Sequence, residues 1–289
     1  MEHLGKLLMR NKTITLLNPG DMGASIGASA RAAGHRVYWV SAGRSAASAS
    51  RAEAAGLDAS ASLSEALSDS DVVLSVCPPH AALDTARAVA DANFQGLYID
   101  GNAVSPATAA KVGTIVRGAG ARFGDGGIIG PPVSKLGSTR MFFSGAHAAE
   151  AASLFEGSLL GTVVLNGPDE AASSIKMCYA AWTKGTTALL ADIRALAQAS
   201  QVEDALLEEW DLSQPGVAQS SETRVRTSAF KAWRWVAEMN EIADSFENLN
   251  LPDGFHRAAA QVYERLAPFK EDRDPEMSAV LGALLNGKD

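Results

Sequence analysis

The sequence predicts an α/β protein, with a doubly wound parallel sheet in residues 1–167 and an all-helical domain in residues 168–289. Three observations carry the prediction. Short apolar runs alternate with alanine-rich helical stretches through the first half, which is the pattern of parallel βαβ units. Strand signals stop after Gly167, and only helical periodicity continues. At 289 residues the chain is longer than one typical domain and accommodates two.

The elements follow in order. Residues 13–17 form a β run that stops at Asn18-Pro19-Gly20. Residues 21–33 make a helix ended by Gly34, and residues 37–40 the next strand. Residues 45–55 and 62–67 read as helices, and 71–76 as a strand closed by Cys77-Pro78-Pro79. A helix over 81–92, a strand over 96–100 and a helix over 106–118 continue the alternation, with right-handed crossovers expected. Residues 122–125, 139–144 and 163–165 read as later strands. Beyond Gly167, helices are expected over 169–201, 202–210, 221–249 and 255–266, punctuated by Gln214-Pro215-Gly216 and Leu251-Pro252-Asp253-Gly254.

Composition narrows the function. Nearly half the residues are apolar, at 47%, yet no run is long enough to cross a bilayer. A net charge of −8 argues against nucleic-acid binding, which needs a basic face, but leaves room for a small anionic ligand. Cys77 and Cys178 lie far apart, with neither metal-ligand nor CxxC spacing, so reduced thiols in a cytoplasmic protein and no metal are expected. Residues 1–12 are charged and read as a short disordered lead-in rather than a secretory signal.

The first strand runs directly into Asn18-Pro19-Gly20-Asp21-Met22-Gly23, and a helix starts there. This is the context of a dinucleotide fingerprint. Gly20 lets the backbone approach a pyrophosphate, and Gly23 lets helix and strand pack closely. Amide groups at the helix start, with the helix dipole, favour the anion. Asn18 stands where the first glycine is usual, and asparagine tolerates left-handed backbone better than most residues. The turn therefore predicts dinucleotide contact at Pro19, Gly20, Asp21 and Met22.

Cofactor choice is read at the end of the second strand. There the chain has Ser41-Ala42-Gly43-Arg44-Ser45, without the carboxylate that binds the ribose hydroxyls of NAD. An arginine flanked by hydroxyls suits a 2′-phosphate, so NADP(H) is expected, with Ser41, Gly43, Arg44 and Ser45 as contacts and Arg51 as a weaker candidate. A solvated arginine at a helix start is the alternative.

These motifs stand in an order that resembles the β-hydroxyacid dehydrogenase superfamily, which includes 6-phosphogluconate and 3-hydroxyisobutyrate dehydrogenases. The glycine turn and Ala33-Gly34-His35-Arg36-Val37 match the family's first unit. The strand ending in Cys77-Pro78-Pro79 is similar to its nicotinamide-side loop. Asp100-Gly101-Asn102-Ala103-Val104-Ser105-Pro106 resembles its substrate loop, with Asn102 and Ala103 replacing Ser and Thr. Asp125-Gly126-Gly127-Ile128-Ile129-Gly130-Pro131 lies where the family writes DAPVSGG, with Ile129 in place of the serine. Ser173-Ser174-Ile175-Lys176-Met177 resembles the start of the family's interdomain helix, and Lys176 matches its catalytic lysine. Tyr179 and Ala180 replace the asparagines that usually follow. Residues 176–185, 233–242 and 254–260 resemble a smaller branch whose C-terminal domain has no assigned function.

The resemblance implies a Rossmann-type domain and hydride transfer between a nicotinamide and a small β-hydroxy acid or related carbonyl compound. Lys176 would pass the hydroxyl proton, a task that needs a lysine with a lowered pKa. Read from its own segment alone, Lys176 could instead be a lysine snorkelling from a helix face. Cofactor contacts are expected at Cys77, Pro78, Pro79 and Asn102, and substrate contacts at Asn102, Ala103, Ile129, Gly130, Tyr179, Trp182 and His256. Lys184 is read as structural or as a rim cation, and Glu238 and Glu241 as a solvated edge or partners of Arg234. Other readings stay open: an imine reductase-like enzyme, or a dinucleotide sensor without turnover. A homodimer is expected from the apolar helical domain.

Overall fold

The computed structural model describes residues 11–286, so of the lead-in expected over residues 1–12 only Asn11 and Lys12 are described. The chain divides into two compact units, Met1–Lys176 and Met177–Asp289. The division falls within a helix, α7 (Ala171–Ala180), rather than at Gly167. The physical reason is local, because the first turn of α7 is tied by buried hydrogen bonds to strands of the first unit, as set out below.

The first unit is built on one eight-stranded sheet of order β3-β2-β1-β4-β5-β6-β7-β8. The strands are β1 (Thr13–Leu17), β2 (Arg36–Val40), β3 (Asp58–Ser60), β4 (Val72–Ser75), β5 (Leu97–Asp100), β6 (Arg122–Ile129), β7 (Arg140–Ser144) and β8 (Gly161–Val164). The first six run parallel, β7 is antiparallel to β6, and β8 is parallel to β7. Central strands β4 and β5 are buried along their whole length, as expected of parallel strands covered on both faces. Along β1, Ile14 and Leu16 point into one core with Ile26 and Ala30 of α1 (Asp21–Ala32). Leu17 points into the opposite core with Ala82 and Val89 of α4 (Ala82–Asp91) and Val112 and Val116 of α5 (Pro106–Gly118). This alternation is the doubly wound arrangement the sequence predicts.

Several elements differ from expectation. Strand β3, between α2 (Ala46–Ala54) and α3 (Leu63–Ser68), was not expected, because Asp-Ala-Ser carries no apolar run. Strand β6 continues past its expected end at Asp125 through Gly126-Gly127-Ile128-Ile129, because the chain pairs there with β7. A short helix, α6 (Ala148–Ser153), follows β7.

The second unit is helical. The helix expected over 169–201 is α7, a five-residue π-helical turn at Ala181–Gly185, and α8 (Thr186–Ala199). The helix expected over 221–249 is two, α10 (Val217–Ala229) and α11 (Ala232–Glu247), broken at Phe230-Lys231 without a glycine or proline to signal it. Helices α9 (Glu203–Ser213) and α12 (Gly254–Leu266) lie near their expected places, and α13 (Met277–Leu285) was not foreseen. Its core holds Val225, Met239, Ile242, Tyr263, Leu266, Val280 and Leu281. Two buried charges are paired: Lys184 Nζ lies 2.7 Å from Glu238 Oε1, and Arg194 donates to Glu203 at 2.9 Å and to Ser221 at 2.9 Å. Glu238 is therefore a buried partner of Lys184, not a solvated edge. Among the described residues no helix is long and apolar enough to cross a membrane.

Candidate functional site

The carboxyl ends of the parallel strands carry the predicted cofactor residues. Asn18, just after β1, adopts a left-handed backbone at φ +74°, so asparagine does here what the usual glycine would do. Gly23 is forced by packing: a Cβ there would lie 2.4 Å from the Asn18 carbonyl oxygen. At Gly20 a Cβ would meet nothing within 4 Å, so its front is open. Gly20 caps α1 without a side-chain acceptor, whereas Ser45, Ser62 and Ser105 cap α2, α3 and α5 with their hydroxyls. The start of α1 thus presents amides and positive dipole to an open space, which fits a pyrophosphate.

Beside this turn lies a cleft of about 420 Å³. It is lined by Leu17, Asn18, Val40 and Arg44 from the ends of β1 and β2, and by Leu63, Cys77, Pro78, His80, Ala81, Thr85 and Ala88. Apolar walls with few polar groups suit a nucleoside. Of the predicted contacts, Arg44, Cys77 and Pro78 line it. Leu63, His80 and Thr85 were missed: Leu63 and His80 follow the ends of β3 and β4, where doubly wound sheets bind ligands, and Thr85 lies in the first turn of α4. Arg44 is exposed, and its Nη1 donates to Asn18 Oδ1 at 2.7 Å. Arg51 donates to the Pro19 carbonyl at 3.2 Å and lies 3.6 Å from Asp21, so it braces the turn. Ser41 donates to the Ser60 carbonyl at 2.9 Å and Ser45 caps α2, so both hydroxyls have structural partners.

The loops after β4 and β5 are clamped together by Asn102. Its side chain is 2% exposed, its Oδ1 accepts from the Cys77 amide at 2.6 Å, and its Nδ2 donates to Ser75 Oγ at 3.1 Å. Its own amide donates to Asp100 Oδ1 at 2.8 Å. Burial pushes the Cys77 thiol pKa up, which makes that thiol a weak nucleophile.

Lys176 lies half-buried on α7, next to β6. Two residues of β6, both facing the helix, fix its approach. Asp125, 1% exposed, accepts from the Ser173 amide at 2.7 Å, from the Ser173 hydroxyl at 2.6 Å and from the Ser144 hydroxyl at 3.1 Å. Ser144 Oγ in turn accepts from the Ala172 amide at 2.8 Å. A Cβ on Gly127 would lie 2.2 Å from the Ala172 carbonyl oxygen and 3.2 Å from Lys176 Cβ, so only glycine lets α7 come this close. Desolvation outweighs the three donors and raises the Asp125 pKa to about 6.

Ile129 is buried in β6, opposite Arg140, while Gly130 is exposed at φ +126°. Ala103 is half-buried. In the second unit Tyr179 and Trp182 are 45% and 68% exposed. His256 is buried between Phe246 and Phe255, beside Gly185, and burial lowers its pKa.

Two family models match the chain. Residues 13–103 match the NADP oxidoreductase coenzyme F420-dependent family, and residues 197–266 match a domain of unknown function, DUF1932. Conserved protein MTH1747 of unknown function, described as structurally similar to 3-hydroxyacid dehydrogenases, is 25% identical, with a TM-score of 0.65 over 89% of this chain and 98% of that one. The 3-hydroxyisobutyrate dehydrogenase of Mycobacterium tuberculosis is 20% identical, with a TM-score of 0.70 over 95% and 99% of the two chains. A reductive aminase from Aspergillus terreus, in complex with NADPH and ethyl levulinate, is 16% identical, with a TM-score of 0.55 over 94% and 99%. No curated protein sequence matches the chain. An NADP-binding Rossmann segment followed by a DUF1932 domain, on a 3-hydroxyacid dehydrogenase-like fold, is the branch that the sequence resembles.

Proposed function

We propose that this chain, with its 3-hydroxyacid dehydrogenase-like fold, is an NADP(H)-dependent oxidoreductase. It interconverts a small β-hydroxy acid, or a related alcohol, with the corresponding carbonyl compound. The reading rests on one observation above all: the uncapped, open start of α1 adjoins the Asn18–Arg44 cleft at the strand ends. The open turn accepts a pyrophosphate, the apolar cleft an adenosine, and the exposed guanidinium of Arg44 a 2′-phosphate.

The bound nicotinamide would supply or accept the hydride. The protein's share is to hold the alcohol and move its proton. During oxidation Lys176 Nζ, as the neutral amine, takes the hydroxyl proton while the adjacent C–H leaves as hydride, and during reduction the ammonium returns that proton to the carbonyl oxygen. Asp125 and Gly127 give Lys176 a fixed backbone from which to act. Asn102 holds the loop carrying Cys77 and Pro78 in shape, so its contribution at the cofactor is through that loop. Substrate contacts are assigned to Ala103 and the backbone at Ile129-Gly130, and in the second unit to Tyr179, Trp182 and His256. The protein works as a cytoplasmic homodimer.

Replacing Lys176 with Ala tests the mechanism. NADPH binding should persist while turnover falls by at least about a hundredfold, the usual share of general acid–base catalysis. The assay is absorbance at the nicotinamide band, after a screen of hydroxy acids with NADP+ and of ketones, aldehydes and imines with NADPH. Near-normal turnover in Lys176→Ala would remove the lysine from the role, and no turnover with any substrate would favour a sensor.

A further inference from the structure

The glycine turn departs from its usual form at Asn18, and this side chain is in use. Its Oδ1 accepts from Arg44 Nη1 at 2.7 Å, across 26 residues of sequence. Both residues line the same cleft beside the open face of Gly20. The second cation nearby, Arg51, is held by Pro19 and Asp21. Arg44 is therefore the cation available to a cofactor, and Asn18 anchors it.

We propose that Asn18 is a specificity-determining residue, whose side-chain oxygen pre-positions the Arg44 guanidinium for the 2′-phosphate of NADP(H). The inference rests on the reading of Arg44 as the 2′-phosphate ligand. Its chemistry follows from what each residue type would do at this position. Arginine carries five N–H donors, so one bond to Asn18 leaves the rest of the fork for a phosphate. Holding a long side chain in its bound rotamer removes an ordering cost from cofactor binding. Glycine would satisfy the left-handed backbone, at φ +74°, but offers no oxygen. Aspartate would offer the oxygen but would neutralise the guanidinium and repel the phosphate. Asparagine alone among the three holds the arginine, leaves its charge intact and tolerates the turn.

Two substitutions test this by calorimetric titration of NADPH, NADH, 2′,5′-ADP and 5′-AMP. Asn18→Gly, which relieves a left-handed non-glycine residue and so keeps the fold, should weaken NADPH and 2′,5′-ADP by up to about tenfold, the ordering cost of one long side chain that is no longer pre-positioned. NADH and 5′-AMP should change by less than about twofold, since neither carries the 2′-phosphate that Arg44 would meet. Asn18→Asp should weaken the two 2′-phosphorylated ligands, NADPH and 2′,5′-ADP, further and reverse the preference. Equal weakening of all four ligands by Asn18→Gly, or no weakening, would reduce Asn18 to a turn residue and overturn the proposal. Arg44→Ala separates the two ideas. If it leaves the NADPH to NADH ratio unchanged, the reading of Arg44 fails and the inference with it. If it collapses the ratio while Asn18→Gly does not, only the inference fails.

Discussion

Asp125 gives a prediction whose size and sign both come from the structure. Its carboxyl is buried at 1% exposure beneath the first turn of α7. Although Ser173 and Ser144 donate to it, burial lifts its pKa from 3.8 to about 6. A carboxyl with a raised pKa binds its proton more tightly when the chain is folded. The stabilisation is therefore complete below pH 3.8 and is lost as pH rises through about 6. The shift corresponds to about 3 kcal/mol in total, of which about 2 kcal/mol disappears between pH 4.5 and 7.5. Asp125→Asn removes the titration and keeps an acceptor for the Ser173 amide. The stability of the variant relative to the parent should therefore rise by about 2 kcal/mol across that interval. Urea unfolding of both proteins at the two pH values measures it, because other titrating groups cancel in the difference. A variant-minus-parent difference that stays constant, or that falls with pH, would refute the reasoning.

Two further substitutions probe how the scaffold holds the site. Gly127→Ala places a methyl group 2.2 Å from the Ala172 carbonyl oxygen, so α7 must move away from β6. A loss of about 1–3 kcal/mol in thermal unfolding should accompany a fall in kcat larger than any change in NADPH affinity. Asn102→Ala leaves the Cys77 amide and Ser75 Oγ without the bonds they make now. It should cost about 1–3 kcal/mol of stability and weaken NADPH and NADH alike, as read by fluorescence titration.

Much of this was legible in the sequence because it rests on short-range pattern. The alternation of apolar runs and helices gave the sheet, and Gly20 and Gly23 gave the turn. The left-handed tolerance of asparagine, argued for Asn18 from residue type, is met at φ +74°. What escaped depends on partners distant in sequence. The short strand Asp58–Ser60 exists because β2 offers it a ladder, not because of its own residues. Asp125 was read only as the end of a strand and the start of a family motif, yet its acceptors are occupied by Ser173 and Ser144, 48 and 19 residues away. The π-helical turn at Ala181–Gly185 has no composition signature, and neither does the break at Phe230-Lys231. The buried pairing of Lys184 with Glu238 spans 54 residues and was equally out of reach.

The departures from the family pattern bear on whether the site is active or decayed. In a site that had lost its ligand, replaced residues would have no reason to keep specific partners. Here two of the replacements are engaged. Asn18, in the place of a glycine, holds Arg44, and Asn102, in the place of a serine, joins the loops that follow β4 and β5. One acts where a 2′-phosphate would lie, and the other shapes the loop of Cys77 and Pro78. Gly127 and Asp125 keep the first turn of α7, and Lys176 with it, close to β6. The engagement of both replacements therefore favours a dinucleotide site that is in use over one that has decayed.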